Sequence, residues 1–176
     1  MKKEAKRTFQ INTWRLPAPV SAVIALVADL HNGDPAALLA ALGEIRPDLI
    51  AIAGDLMERR DGAEAGGGGA YGPWARASFL RAFAAQPGYK VLLCHHPEYY
   101  EPLLRPLDIQ LVLSGHAHGG QIRLGGQGLF APGQGFFPRY TAGLYEGRLL
   151  VSRGLRNNTC LPRVHNPLEL VVLRLG

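Results

Sequence analysis

Residues 20–31 read VSAVIALVADLH, a hydrophobic segment of strand length that runs directly into the metal-ligand residues Asp29 and His31. Three later hydrophobic runs, residues 49–53, 90–94 and 109–113, end in a similar way. Because all four runs are rich in Val, Ile and Leu and contain few alternating polar residues, they predict parallel-sheet strands buried on both faces. The three later runs are followed by Gly54-Asp55, His95-His96-Pro97 and Gly115-His116-Ala117-His118.

These polar residues are expected to converge on one site, because ligands of open α/β sheets bind beyond the carboxyl ends of the strands. Aspartate and histidine with few cysteines suit Mn, Fe or Zn, and they favour a catalytic site over a structural zinc site, which would recruit cysteine. We expect His96 to face substrate or core, and His165 to have a structural role. The candidate metal ligands are Asp29, His31, Asp55, His95, His116 and His118.

The order of the elements predicts an α/β fold with a mixed, largely parallel central sheet flanked by helices. A helix is expected over residues 36–45, with Asp34 as N-cap and Pro35 in the first turn. A second helix is expected over 73–86, and strands over 149–152 and 168–173. We interpret residues 1–19 as a basic N-terminal arm and 20–176 as a single domain with a glycine-rich loop at 58–72.

Composition indicates an ordered globular chain, with 47% hydrophobic and 19% charged residues among 176. The net charge of +5 is scattered, apart from basic residues within the first seven positions. This pattern favours a solvated surface over an arm that contacts anionic lipid, and no basic stripe interleaved with aromatics supports specific nucleic-acid binding. We expect free thiols at Cys94 and Cys160, and a cytoplasmic protein, peripheral to the membrane if the arm contacts lipid.

The motifs resemble those of the calcineurin-like metallophosphoesterases, in particular a bacterial phosphodiesterase branch. The resemblance extends over nearly the whole chain from Val20 onward and includes two further stretches, residues 128–135 and 166–170. It implies the layered fold of that family, shortened in this chain. The motifs that stand in the family's order are Asp29-Leu30-His31, Gly54-Asp55-Leu56, His95-His96-Pro97-Glu98 and Gly115-His116-Ala117-His118-Gly119-Gly120-Gln121.

The resemblance also implies the ligands of two divalent ions and metal-dependent hydrolysis of a phosphodiester or phosphomonoester, lipid-like or nucleotide in character. Asp55 would bridge the ions, which fits the need for negative charge between two cations about 3.5–4 Å apart. The first ion would be held by Asp29, His31, Asp55 and His118, and the second by Asp55, His95 and His116.

One family motif, Gly-Asn-His-Asp/Glu, is missing between Asp55 and His95. By the resemblance, its Asn would complete the second ion's ligands and its His would assist the reaction, so we expect one or two ions per chain and reduced activity. His96 and Asn32 are candidate catalytic substitutes. The alternative is a catalytically silent metal-binding or interaction module. A metallo-β-lactamase site is disfavoured, because it would need a His-x-His-x-Asp-His cluster.

Overall fold

The computed structural model describes residues 8–31, 33–55, 73–157 and 161–176. Two α-helices and twelve strands are assigned there, together with 3-10 turns at Pro97–Tyr99 and His118–Gly120 and a π-helical turn at Tyr100–Leu104. The helices are α1 (Ala36–Ile45) and α2 (Pro73–Ala84). The strands are β1 (Gln10–Leu16), β2 (Ala22–Val27), β3 (Leu49–Ile52), β4 (Val91–Leu93), β5 (Leu111–Ser114), β6 (Arg123–Leu124), β7 (Gln127–Gly128), β8 (Phe130–Ala131), β9 (Gly135–Phe136), β10 (Gly143–Tyr145), β11 (Leu149–Val151) and β12 (Glu169–Leu175).

The predicted α/β class is confirmed, but the strands divide between two four-stranded sheets rather than forming one central sheet. The first sheet has the order β1-β12-β2-β3, with parallel β1–β12 and β2–β3 pairs and an antiparallel β12–β2 pair. The second has the order β10-β11-β5-β4, with parallel β11–β5 and β5–β4 pairs and an antiparallel β10–β11 pair. The remaining short strands form the hairpins β6–β7 and β8–β9.

The two sheets pack face to face and do not join edge to edge. Ile24 and Leu26 of β2 lie in one hydrophobic cluster with Leu111 and Leu113 of β5. The alternate residues point outward, as expected for the period of two in a strand. Val27 packs with Leu38 of α1, and Val112 packs in a cluster with residues of α2. The layers therefore run α1, first sheet, second sheet, α2.

Burial on both faces, expected for all four hydrophobic runs, holds for β5 and most of β2 but is wrong for β3 and β4. These two strands lie at sheet edges, where one side has no neighbouring strand among the described residues. As a result Leu49 is 53% exposed, and Leu93 is 47% exposed. Apolar composition alone did not reveal this, because it does not distinguish an edge strand from a central one.

The expectations for the N-terminal arm, the start of α1 and the loops can be compared with the structure. Residues 10–16, which we interpreted as part of an N-terminal arm, form strand β1 and pair with β12 over their whole length. Helix α1 begins at Ala36 with Pro35 as its N-cap, one position later than expected, and Asp34 Oδ1 before it accepts the backbone N–H of Ala36 at 2.9 Å. The first seven residues, Asn32, the glycine-rich loop at 58–72 and Cys160 lie outside the described residues.

Candidate metal centre

The six candidate ligands lie together at the carboxyl ends of β2, β3, β4 and β5, in the crevice between the two sheets. Their ligand atoms fall into two groups of three, within each of which all atoms lie within 4.8 Å of one another. Each group contains one carboxylate and two histidines, a donor set typical of zinc and non-haem iron sites. The groups are Asp29, His31 and His118, which are buried, and Asp55, His95 and His116, which are more accessible.

Asp55 joins the two groups. Its Oδ2 lies 3.3 Å from Nε2 of His95 in its own group and 3.7 Å from Nε2 of His31 in the other. Asp29 Oδ1 lies 4.0 Å from Nε2 of His31 and 3.9 Å from Nε2 of His95. Atoms bound to one ion at about 2.0–2.2 Å are themselves about 3–4 Å apart, so these separations fit ligation of divalent ions.

The hydrogen bonds around His95 leave the correct nitrogen available for a metal ion. Its Nδ1 lies 2.6 Å from the carbonyl oxygen of Ala53. Because a carbonyl can only accept, Nδ1 carries the proton and Nε2 keeps a lone pair directed at Asp55. Among the described residues, His95 Nε2 and Asp29 Oδ2 are buried without a hydrogen-bond partner. Buried polar atoms of this kind are costly, and a cation bound between them would satisfy both.

The local backbone is unusual at these positions. Five of the six candidate ligands have a positive φ, namely Asp29 (54°), His31 (47°), Asp55 (49°), His116 (63°) and His118 (47°). Residues other than glycine seldom adopt this conformation, and such strain concentrates at functional sites.

Two glycines make room for the ligand side chains. A β-carbon at Gly115 would lie 2.9 Å from Asp29 Oδ2, and one at Gly154 would lie 2.7 Å from the same atom. The Asp29 carboxylate is also fixed by the backbone N–H of His116, which donates to its Oδ1 at 3.2 Å. This bond links the end of the first sheet to the end of the second. Close backbone approach is thus part of how the carboxylate is positioned.

Burial sets the protonation states of the site. It lowers the pKa of His116 to about 4, helped by the neighbouring His96 and His95. It lowers the pKa of His118 to about 3, helped by the positive charge of Arg163. Both imidazoles are therefore neutral at pH 7, the form that binds metal ions. Burial also raises the pKa of Asp29, in opposition to His95 and the His116 N–H.

Acidification is expected to destabilise the metal-free protein. An unfolded histidine has a pKa near 6.5. Between pH 7 and 5 the unfolded chain therefore binds protons at His116 and His118, whereas in the folded state both imidazoles remain neutral. The free energy of unfolding should fall by up to about 1.4 kcal/mol per pH unit for a histidine as buried as His118, partly offset by Asp29, whose raised pKa acts in the opposite direction. Urea unfolding in EDTA at the two pH values measures this. The His118→Gln variant should show a shallower slope, and unchanged stability of the wild type would contradict the prediction.

Three residues that the sequence analysis gave no role at the site support it. Asn166 is buried and donates through Nδ2 to the carbonyls of His118 at 2.8 Å and Gln121 at 3.0 Å, which holds the turn after β5. Arg163 Nη2 lies 3.2 Å from His118 Nδ1, and Arg156 donates to the carbonyl of His31. Asn166 lies in the stretch 166–170 that carries part of the resemblance, whereas no local motif marks Arg156 or Arg163, which reach the site from a segment far along the chain.

Four residues besides the six candidate metal ligands were also named from the sequence. His96 is half-buried beside the centre, with its ring centroid 4.0 Å from that of His116. His165 is exposed and belongs to none of the ligand groups found among the described residues. Asn32 lies outside the described part of the chain. Cys94 is in no disulfide among the described residues, and its Sγ donates to the carbonyl oxygen of His96 at 3.4 Å.

Comparisons with known proteins name no activity. No family model and no solved structure matches the chain. The uncharacterized protein YpbG of Bacillus subtilis (strain 168) is 46% identical over 44 residues, a stretch that makes up 25% of this chain and 17% of YpbG. Among the residues that the structure describes, none of the helices has the length and apolar character needed to cross a membrane.

Proposed function

We propose that this protein hydrolyses phosphoesters with the help of divalent metal ions, in the manner of the calcineurin-like metallophosphoesterases that its motifs resemble. The observation that carries the proposal is the position of Asp55 Oδ2, between His31 of one ligand group and His95 of the other. A carboxylate shared between two adjacent 2-His-1-carboxylate groups is what a two-metal hydrolytic site requires.

The chain's own residues would position and charge-balance the centre. Asp29, His31 and His118 would hold one ion and His95 and His116 the other, with Asp55 shared between them and Mn, Fe or Zn as candidates. The ions would polarise a phosphoryl oxygen and lower the pKa of a bound water. The Ala53 carbonyl keeps the lone pair of His95 on Nε2, facing Asp55.

Arg163 contributes a fixed positive charge beside His118. Burial lowers the pKa of its guanidinium only to about 10, so it remains cationic at neutral pH. Its Nη2 donates to the carbonyls of Arg153 at 2.8 Å and Arg156 at 3.0 Å, which orients the group. A cation held at the edge of the centre would favour an anionic substrate such as a phosphoester.

The layered arrangement of helix, sheet, sheet and helix supports the same proposal at the level of fold. The second ion's group has three described ligands and no counterpart of the family's Asn in the sequence, so weaker binding of that ion and reduced turnover are part of the proposal.

Metal titration of the purified chain, followed by hydrolysis of chromogenic phosphomonoesters and phosphodiesters, tests the proposal. Turnover should require Mn²⁺, Fe²⁺ or Zn²⁺, should stop in EDTA, and should fall at least about 100-fold in Asp29→Asn, because ligand loss exceeds the 10–100-fold effect of losing an outer-shell partner.

Asp108→Asn is the matched control. It makes the same chemical change at an exposed carboxylate that pairs with Lys90, just before β5 and so at the opposite end of that strand from the ligands. It should leave turnover unchanged. Stoichiometric metal binding without turnover would overturn the enzymatic proposal in favour of a metal-binding module. Equal turnover in Asp29→Asn and Asp108→Asn would show that the metal centre takes no part in the reaction.

A further inference from the structure

A third set of ligand atoms lies beside the proposed centre. Atoms of His96, Glu98 and His116 all lie within 4.8 Å of one another, and two of these residues are not among the six predicted ligands. His96 Nδ1 lies 3.0 Å from Glu98 Oε1. The pair is a hydrogen bond when Nδ1 is protonated, and in the other tautomer the two atoms are spaced like neighbouring ligand atoms on one divalent ion, about 3 Å apart. The set again consists of two imidazoles and one carboxylate.

The environment of Glu98 is a second observation that suits a bound cation. Its Oε2 is buried and has no hydrogen-bond partner among the described residues. A buried carboxylate oxygen without a donor is costly unless a positive group satisfies it. The backbone at Gly133 packs directly on the carboxylate, since a β-carbon there would collide with Glu98 Oε1. The loop therefore covers one side of the carboxylate, and the Glu98 side chain as a whole is 21% exposed.

We propose that His96, Glu98 and His116 form a further binding position for a divalent ion, next to the group of Asp55, His95 and His116. The two positions are alternatives for one ion, because a neutral imidazole such as His116 has only one unprotonated nitrogen to offer. The donor set suits borderline ions such as Zn²⁺, Fe²⁺ and Co²⁺. This inference deepens the proposed function, on which it rests for the neighbouring group.

In the further position His96 is a metal ligand. It substitutes neither for the missing Asn nor for the missing His of the family motif. The group around Asp55 is left with three protein ligands, so an ion there is held less firmly. An ion displaced from it finds two new ligands, His96 and Glu98, without leaving His116. The chain would thus retain a second ion near the first, with His96 and Glu98 as its additional ligands.

Titration of the full-length metal-free protein with Co²⁺ tests this inference, with visible absorption reporting the ligands and metal analysis giving the stoichiometry. Glu98→Gln and His96→Gln should each lower the affinity for one Co²⁺ at least about 10-fold and change its absorption spectrum. The other Co²⁺ should bind as in the wild type. Glu44→Gln, on the exposed face of α1, is the matched control and should change nothing.

The outcomes separate this inference from the proposed function. If Glu98→Gln and His96→Gln bind Co²⁺ with wild-type affinities and spectra, the further position is overturned, whereas loss of Co²⁺ in Asp29→Asn would still support the main centre. If Asp29→Asn and Asp55→Asn bind Co²⁺ normally while Glu98→Gln does not, the main centre fails and the further position stands. Thermal unfolding in EDTA checks that each variant is folded.

Discussion

Replacing Asp55 with Asn is expected to reduce metal-stimulated phosphoester hydrolysis by at least about 100-fold while leaving the fold almost unchanged. Asparagine keeps the size of the side chain but removes the negative charge that lies between His31 and His95. Two divalent cations about 3.5–4 Å apart repel each other strongly without a shared anion. The reacting arrangement should therefore be lost even if one ion still binds.

Stability should be little affected because the Asp55 side chain is 44% exposed. The backbone bond that anchors this residue, from the His31 N–H to the Asp55 carbonyl at 2.9 Å, does not involve the substituted atoms. The measurement compares kcat/KM on a chromogenic phosphodiester with the midpoint of thermal unfolding in EDTA. A variant with turnover within about threefold of wild type would show that Asp55 does not bridge the reacting ions.

The sequence predicted the residues that come together at the candidate site better than it predicted how the strands pair into sheets. The hydrophobic runs located β2, β3, β4 and β5, and the residues just after them are the ones that the structure brings together. This worked because the end of a strand fixes where the next side chain lies, whichever sheet the strand joins and whether or not both its faces are buried. The exposure of Leu49 and Leu93 could not be predicted, because it depends on which strand is an edge and hence on pairing between distant segments.

Strand β1 was missed for a related reason. Its sequence, QINTWRL, lies beside basic residues and mixes polar and apolar side chains, so it did not stand out as a strand. Its stabilisation comes from parallel pairing with β12, more than 150 positions away, where Gln10 aligns with Glu169. The supporting residue Arg163 was missed in the same way, because it acts through a long-range contact with His118. Asn166 lies in a stretch that the resemblance includes, but its contact with His118 could not be predicted from that stretch.

Gly54→Ala is expected to damage the site in a way that separates backbone strain from loss of a ligand. Gly54 has a φ of +100°, and a β-carbon there would lie 2.5 Å from His95 Nδ1. The substitution should lower the free energy of unfolding by about 1–3 kcal/mol through backbone strain. It should also displace the His95 ring from the Ala53 carbonyl, so that Nε2 no longer faces Asp55.

Gly88→Ala provides a control with nearly the same backbone strain. Gly88 has a φ of +98°, but a β-carbon there would meet nothing within 4 Å. In urea unfolding, Gly88→Ala should therefore show the cost of the backbone strain alone, and Gly54→Ala that cost plus the cost of displacing the His95 ring. Only Gly54→Ala should also lose most of the turnover and change the Co²⁺ absorption spectrum, because the second ion would then keep only the position at His96, Glu98 and His116. Equal metal binding and turnover in the two variants would show that the orientation of His95 does not matter to the centre, and His95 would then no longer be a ligand in the proposed mechanism.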